Sequence, residues 1–157
     1  MKLIYINANL VYGECLKVLS QKNWKRIIKT GVLDLLREKQ FLFITSILTK
    51  MEVMQRLIRE EQVELDKARK LYSLVTRTYN IQQISSLNKK NLLTNTFIDL
   101  VIKSNLDFKD ALHLEIASKQ KLIVVTHDKK FIRYASKHKD KLKFYSQVVK
   151  PEELLNN

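Results

Sequence analysis

The chain has 157 residues, which is enough for a single domain over 1–157 with a substantial core but too few for two ordinary domains. Its single cysteine and two glycines exclude an intramolecular disulfide, a cysteine-rich zinc site, a P-loop and a dinucleotide-binding glycine fingerprint. The 29 Lys and Arg residues against 16 Asp and Glu give a formal charge of +13, which predicts a nucleic-acid partner, with a lysine-rich solvated surface as the alternative.

Short, continuous apolar runs predict the strands of a sheet that is buried on both faces. These runs lie at 3–6, 41–44 and 122–125, with a weaker one at 81–84 and a last one near 144–145. Helical patterns fill the intervals, at 10–19, 24–38, 47–58, 63–75, 91–102, 108–118 and 129–138. Strands that alternate with helices predict a three-layer α/β/α domain with a mostly parallel central sheet.

Neither a membrane span nor a signal peptide is indicated by the apolar pattern. No apolar run reaches the roughly 18–20 residues that a transmembrane helix requires. The opening run at 3–6 is too short for the apolar region of a signal peptide, and no small-residue cleavage site follows it. We therefore expect a cytoplasmic protein.

Polar residues follow the predicted strands at the carboxyl edge of the sheet, which is where open α/β sheets bind ligands. Asn7 and Asn9 come directly after the first strand, and Thr126 and Asp128 come directly after the 122–125 strand. Glu52 lies one turn into the helix after the second strand, a helix that Thr45 and Ser46 can cap and whose apolar stripe is Ile47, Met51, Met54 and Ile58.

A further acid, Asp110, opens the helix that leads into the 122–125 strand. On a helical wheel Asp110 shares a face with Leu114 and Ala117, while Lys109, Glu115 and Lys119 point the other way. A carboxylate on the inward side of a helix must be paired or metal-bound. Because carboxylate-held metal ions are the main remaining route to phosphate chemistry, we expect Glu52, Asp110 and Asp128 to converge on one metal site.

Each acid also has an ordinary structural explanation. Asp128 can cap the helix that begins at residue 129, and Asp107 and Asp110 can stabilise the start of their own helix. Glu52 can be a solvent-facing residue beside an apolar stripe. The functional interpretation therefore depends on whether the three acids meet.

Four short motifs occur in order along nearly the whole chain: Ile-Asn-Ala-Asn at 6–9, Ser46 with Glu52, Asp-Ala-Leu-His-Leu-Glu-Ile-Ala at 110–117, and Val-Val-Thr-His-Asp-Lys-Lys-Phe at 124–131. They resemble, in turn, the Asp-x-Asn/Ser/Thr opening, the serine-then-glutamate helix, the Asp-Ala-containing helix and the Thr-x-Asp-x-x-Phe close of PIN-domain nucleases. The resemblance places the family's acidic site at positions 7, 52, 110 and 128, with Asn9, Ser46 and Thr126 as secondary polar residues.

What the resemblance implies is a Mg²⁺- or Mn²⁺-dependent endoribonuclease, a hydrolase of RNA phosphodiester bonds. PIN domains of this size are often the toxins of VapBC-type toxin–antitoxin pairs, and others process RNA. The resemblance also suggests a homodimer formed through helices of the first half, and an acidic antitoxin as a further partner.

The chain departs from the family pattern at its first acidic position, where Asn7 stands in place of aspartate. An amide oxygen can coordinate a metal ion but brings no negative charge, so we expect weak or absent turnover. Two origins fit this residue: a substitution made to silence the site, or a degenerate domain that binds without cutting. The alternative function is accordingly a non-catalytic RNA-binding or partner-binding module on the same fold. A response-regulator receiver is disfavoured because no paired acids follow the first strand.

Clusters of basic residues lie at 22–26, 89–90 and 137–143. Trp24, Tyr79 and Tyr145 lie near these clusters and could stack on the bases of a single strand. Packing in the core or at a solvated surface is the default explanation for each ring.

Overall fold

The computed structural model describes residues 2–21, 31–84, 97–98, 101–102, 106–140, 142–143 and 145–156. The strands within these ranges are β1 (Lys2–Ile6), β2 (Phe41–Ser46), β3 (Gln82–Ile84), β4 (Ile123–Val125) and β5 (Val148–Val149). The helices are α1 (Ala8–Leu19), α2 (Val32–Glu38), α3 (Ile47–Arg59), α4 (Leu65–Thr78), α5 (Phe108–Lys119), α6 (Lys129–Lys137) and α7 (Pro151–Leu155). In the described part of the chain, none of the helices has both the length and the apolar character to cross a membrane.

The strands form one sheet in the order β3-β2-β1-β4-β5, and all four pairings are parallel. Helices cover both faces, so the predicted three-layer α/β/α fold is confirmed. The chain adds strands on one side of β1 and then on the other, so a topological switch point lies between β1 and β4. In parallel α/β sheets the crevice at such a point, beyond the carboxyl ends of the strands, is where ligands bind.

From Ile4 onward, strand β1 is buried on both faces, as its apolar run predicts, whereas Leu3 is 47% exposed. Ile4 and Ile6 pack into the core beneath α1 to α4, whereas Tyr5 points into the second core, with Leu114 of α5 and Phe131 of α6. Each of these β1 side chains is at most 1% exposed. Because alternate residues of a strand face opposite sides, Asn7 follows on the same side as Tyr5.

Several helix boundaries differ from those predicted from the sequence. The helix predicted at 24–38 begins at Val32 in the described part, because Gly31 has extended backbone at its N-cap; residues 24–30 lie outside the described residues. Of the helix predicted at 91–102, residues 97–98 and 101–102 are helical and the remainder is not described. Val63 precedes α4, which begins at Leu65.

The strand predicted near 144–145 is wrong. The edge strand is Val148–Val149, which pairs with Val124 and Val125 of β4. Tyr145 lies before it and packs against the core beside α5 and α6, so the aromatic signal there reflects packing rather than a strand; Phe144 is not described.

Helix α3 buries one line of apolar residues completely and the predicted apolar stripe only in part. Val53 and Leu57 are fully buried in the core that α3 shares with α1 and α4. Of the predicted stripe, Met54 packs against this core, whereas Met51 is 62% exposed and Ile58 is 37% exposed. Both sets of residues follow helical spacing, so only the packing of α3 on its neighbours distinguishes them.

Tyr79 belongs to the core and is not available to stack on bases. Its ring is 2% exposed, and its hydroxyl lies 3.1 Å from Glu14 Oε2 and 3.0 Å from Asp34 Oδ2. Lys17 and Arg37 pair with these two buried acids. The default explanation, packing, is therefore confirmed for this ring.

Three helix-to-strand turns contain a residue in the left-handed region of the backbone. These residues are Gln40 before β2, Asn80 before β3 and Lys121 before β4, with φ of 65°, 50° and 55°. Glycine is the usual residue at such helix ends because a Cβ disfavours this conformation by about 1 kcal/mol. All three turns lie at the amino edge of the sheet, opposite the switch point.

Candidate active site

Asn7 is held at the end of β1 by hydrogen bonds that fix its orientation. Its backbone N–H donates to the carbonyl of Val125 in β4 (3.0 Å), and its side chain caps α1 by accepting from the N–H of Ala8. Because the amide oxygen makes the cap, the amide nitrogen must point the other way, and it donates to Thr126 Oγ1 (3.3 Å). Asn7 is 5% exposed, so the residue at this position lies in the floor of the crevice.

Thr126 joins the loop after β4 to the start of α1. Its hydroxyl oxygen lies within hydrogen-bond distance of Asn7 Nδ2, of Asn9 Nδ2 (2.9 Å) and of the N–H of Asp128 (3.1 Å), which share its two lone pairs. Asn9 Oδ1 in turn accepts from the N–H of His127 (3.3 Å). The predicted polar residues Asn7, Asn9 and Thr126 thus meet at the switch point.

Asp128 caps α6, which is the ordinary explanation for this acid. Its Oδ1 accepts from the N–H groups of Lys130 (2.8 Å) and Phe131 (3.0 Å). Its other oxygen has no hydrogen-bond partner within the described residues. Asp128 therefore has one oxygen committed to the helix and one that can bind a ligand.

Asp110 is half-buried and, among the residues that the structure describes, has no hydrogen bond and no ion pair. The cap of α5 is made by Asp107, which accepts from the N–H of Lys109 (2.9 Å). Burial, followed by the negative charges of Asp128, Asp107 and Glu52, raises the pKa of Asp110 to about 7. Asp128 and Glu52 thus lie close enough to Asp110 to raise its pKa, and the positive charge of Lys109 offsets this effect only in part.

Glu115 is buried although the wheel places it on the face opposite Asp110. It is 6% exposed and pairs with Lys119 Nζ at 2.9 Å. Helix α5 is therefore enclosed on more of its circumference than the wheel indicates.

Glu52 is held by a chain of hydrogen bonds that crosses the interior. His113 Nε2 lies 2.7 Å from Glu52 Oε1, and His113 Nδ1 lies 2.7 Å from the Tyr5 hydroxyl. The Tyr5 hydroxyl lies 2.7 Å from Ser46 Oγ. Tyr5 and His113 are fully buried, whereas the side chain of Glu52 is 22% exposed.

Which group donates in each of these hydrogen bonds follows from the chemistry of the side chains. Burial raises the pKa of Tyr5, so its hydroxyl keeps its proton. If Ser46 donates to Tyr5 and Tyr5 donates to Nδ1 of His113, the Nε2–H of His113 is left to donate to Glu52. All three hydrogen bonds are then satisfied, and one carboxylate oxygen of Glu52 is fixed at the crevice. Ser46 occupies the N-cap position before α3, but its hydroxyl does not cap that helix as predicted.

Sequence reasoning missed the roles of Tyr5 and His113. Two signals could have found them: Tyr5 shares a strand face with Asn7 two residues on, and His113 follows Asp110 by nearly one helical turn. A hydrogen bond between His113 and an acid 61 residues away leaves no local pattern in the sequence.

The donor chemistry of the crevice suits a hard divalent cation. Mg²⁺ and Mn²⁺ prefer oxygen ligands, and Asp110 together with the free oxygen of Asp128 supplies them beside the partly exposed Glu52. Asn7 contributes an amide oxygen already engaged by Ala8. Within the described ranges, no three His, Cys, Asp or Glu side chains are arranged as a ready-made metal site.

Comparison with known proteins gives a consistent assignment. A family model described as "PIN domain" matches residues 6–137, a range that contains Asn7, Glu52, Asp110 and Asp128. The crystal structure of PAE2754 from Pyrobaculum aerophilum is similar to this chain with a TM-score of 0.55 and 14% identity, over 99% of this chain and 88% of that chain. At that identity the likeness concerns the fold alone. No curated protein matches the chain.

Proposed function

The chain belongs to the PIN domain family, and from that premise we propose that it is a metal-dependent endoribonuclease whose turnover is weakened or abolished by Asn7. PIN domains are generally nucleases that use divalent metal ions, so an activity on nucleic acid follows from the family. The choice of RNA, the metal and the site residues are our proposal.

The observation that carries the proposal is the group of acids around Asp110 at the switch point. Asp110 is partly desolvated and forms no ion pair in the described structure, and Asp128 and Glu52 add negative charge that the neighbouring Lys109 offsets only in part. Such an arrangement opposes folding unless it serves a ligand, because like charges in a low-dielectric crevice repel. A divalent cation bound to substrate phosphate is the ligand that relieves it.

We assign Asp110 and Asp128 as the principal metal ligands, with Glu52 and the residue at position 7 completing the acidic site. A bound Mg²⁺ or Mn²⁺ would supply an activated water and stabilise charge on the leaving oxygen. His113 and Tyr5 keep the Glu52 carboxylate in place. Asn9, Ser46 and Thr126 hold the surrounding loops and strand ends.

Asparagine at position 7 removes one of the charges that would hold the ion. Disturbing even the residues that support metal ligands costs roughly 10–100-fold in affinity or activity, so loss of a ligand's charge should cost at least that. Aspartate fits the same position. One carboxylate oxygen would keep the α1 cap, and the Thr126 hydroxyl would donate to the other oxygen instead of accepting from the amide.

The test is Mn²⁺-dependent cleavage of a panel of RNAs, with matched DNA oligonucleotides, by the native chain, Asn7→Asp, and Asn7→Asp/Asp110→Asn. We expect the single variant alone to cut, and to cut RNA but not DNA. Cleavage of DNA with equal efficiency would refute the RNA assignment. If no variant cuts although all are folded, the enzyme proposal fails and a non-catalytic binding module takes its place.

The family resemblance extends the proposal to a VapBC-type toxin, acting in the cytoplasm as a homodimer and inhibited by an acidic antitoxin segment. The exposed apolar stripe of α3, which includes Met51 and Ile58, supports a contact between copies on this side of the molecule. Light scattering of the native chain and of Met51→Lys tests the dimer: the variant should be monomeric.

A further inference from the structure

Helix α6 presents a continuous row of cations beside the candidate active site. Lys129, Arg133 and Lys137 are each four residues apart, so they share one face of the helix. All three are exposed, and none forms an ion pair with a described residue. Together with Lys150, which precedes α7, they line a groove of about 520 Å³ whose other walls are Ile132 and Ser136. We call this the basic groove.

The basic groove contains four cationic side chains and no acid in its lining. Elsewhere on the surface of the described chain, basic residues are often neutralised by neighbours, as Lys17, Arg56 and Lys119 are. Unpaired cations brought together on one wall repel one another, so the arrangement favours a polyanionic ligand.

The row of cations begins next to one of the candidate acids along the chain. Lys129 follows Asp128, the residue that caps α6, so the row of cations begins at the switch point. From Lys129 to Lys137 the helix rises about 12 Å, with about 6 Å between successive cations. A phosphodiester backbone laid along this face would meet a cation at each helical turn.

We propose that the basic groove binds the phosphate backbone of a single-stranded nucleic acid and guides it into the acidic crevice. This inference rests on the proposed nuclease function for its direction, but the binding itself does not require cleavage. The cations touch phosphates rather than bases, so the groove supplies affinity and orientation without sequence preference. The basic clusters at 22–26 and 89–90 predicted from the sequence lie outside the described residues.

The test measures binding of fluorescein-labelled oligouridylate to the native chain in EDTA, across a range of salt concentrations. The variant is Lys129→Gln/Arg133→Gln/Lys137→Gln, in which glutamine retains helix propensity. Single-stranded binding loses about 0.7 units of log–log salt slope for each phosphate contact removed, so we expect the slope to fall by about 2. Affinity at low salt should fall by about 10–100-fold. Oligothymidylate should lose as much, since the groove makes no use of the 2′-hydroxyl.

The matched control removes three exposed lysines from the opposite edge of the sheet, in Lys2→Gln/Lys39→Gln/Lys121→Gln. Both triple variants lower the net charge by the same amount. An equal loss of affinity in both would therefore overturn the groove proposal in favour of a general charge effect. Competition by polyglutamate as effective as that by oligouridylate of the same charge would also overturn it, in favour of an acidic protein partner. If the groove triple variant unfolds at a lower urea concentration than the control variant, the single variant Arg133→Gln is measured as well. It must lower the log–log salt slope of binding by about 0.7.

Binding and cleavage can fail separately. If Asn7→Asp cuts no RNA while the groove variants no longer bind oligouridylate, the groove proposal stands and the nuclease proposal falls. The three groove substitutions can also be combined with Asn7→Asp. If Asn7→Asp cuts RNA and this combined variant cuts it equally fast at substrate concentrations below saturation, the nuclease proposal stands and the groove proposal is refuted.

Discussion

Replacement of Asp110 by asparagine should stabilise the metal-free protein, although it removes a proposed metal ligand. The folded chain raises the pKa of Asp110 to about 7 through burial and the charges of Asp128, Asp107 and Glu52. In the unfolded chain an aspartate titrates near ~3.9. The folded state therefore favours the protonated acid. Its contribution to stability is fully present below about pH 4 and is lost as the pH rises to about 7.

The magnitude follows from the size of that difference. A shift of about three pKa units corresponds to at most about 4 kcal/mol, and solvent at this half-buried group reduces the effect to about 1–2 kcal/mol. We expect the free energy of unfolding of Asp110→Asn to exceed that of the native chain by that amount at pH 8 in EDTA. At pH 5 the difference should shrink to about a third, since most of the loss occurs above that pH.

Urea unfolding at both pH values, in low salt, is the appropriate assay. Asp140→Asn is the control, because Asp140 is exposed and its replacement removes the same charge. Millimolar Mn²⁺ at pH 8 should stabilise the native chain but not Asp110→Asn, because a ligand stabilises only the state that binds it. The reasoning is refuted if Asp110→Asn is less stable than the native chain at pH 8, since the carboxylate would then be a compensated, stabilising group.

Two further predictions concern the hydrogen-bond chain and the amino edge. In the Asn7→Asp background, His113→Leu should lower Mn²⁺-dependent cleavage about 10–100-fold, which is the usual effect of losing a residue that orients a metal ligand. His113→Gln can still donate to Glu52 and should recover part of the activity. Equal activity of the two variants would contradict the positioning role of His113. Lys121→Gly should stabilise the native chain by about 0.5–1 kcal/mol in urea unfolding, because glycine adopts φ of 55° without strain; Lys39→Gly, whose backbone lies outside the left-handed region, should not.

The sheet and its carboxyl edge were accessible from sequence because their signals are local. A strand buried on both faces must be apolar throughout, as 3–6 is, and the polar residues after it then mark the edge. Asn7, Thr126 and Asp128 could be placed together on that basis. The orientation of a helix about its own axis was less accessible, since α3 has two apolar stripes and α5 buries Glu115.

The support of the site could not be predicted for a different reason. The bonds that link Ser46, Tyr5, His113 and Glu52 join four separate elements of the fold. A hydrogen bond between distant residues depends on distances of a few tenths of an ångström, and neither residue type nor spacing records it. The basic groove was missed because Lys150 joins the cations of α6 only when β5 and α7 fold beside them.

The two oxygens of Asp128 complicate any experiment that deletes its carboxylate. One oxygen holds the backbone of Lys130 and Phe131, and Phe131 anchors α6 in the core. Alanine at this position would remove a helix cap, at about 1 kcal/mol, together with the proposed ligand. The first turn of α6 would loosen and displace Lys129 and Arg133. An inactive alanine variant would therefore report on the placement of the nucleic acid as much as on the metal, whereas serine would preserve the helix and isolate the loss of charge.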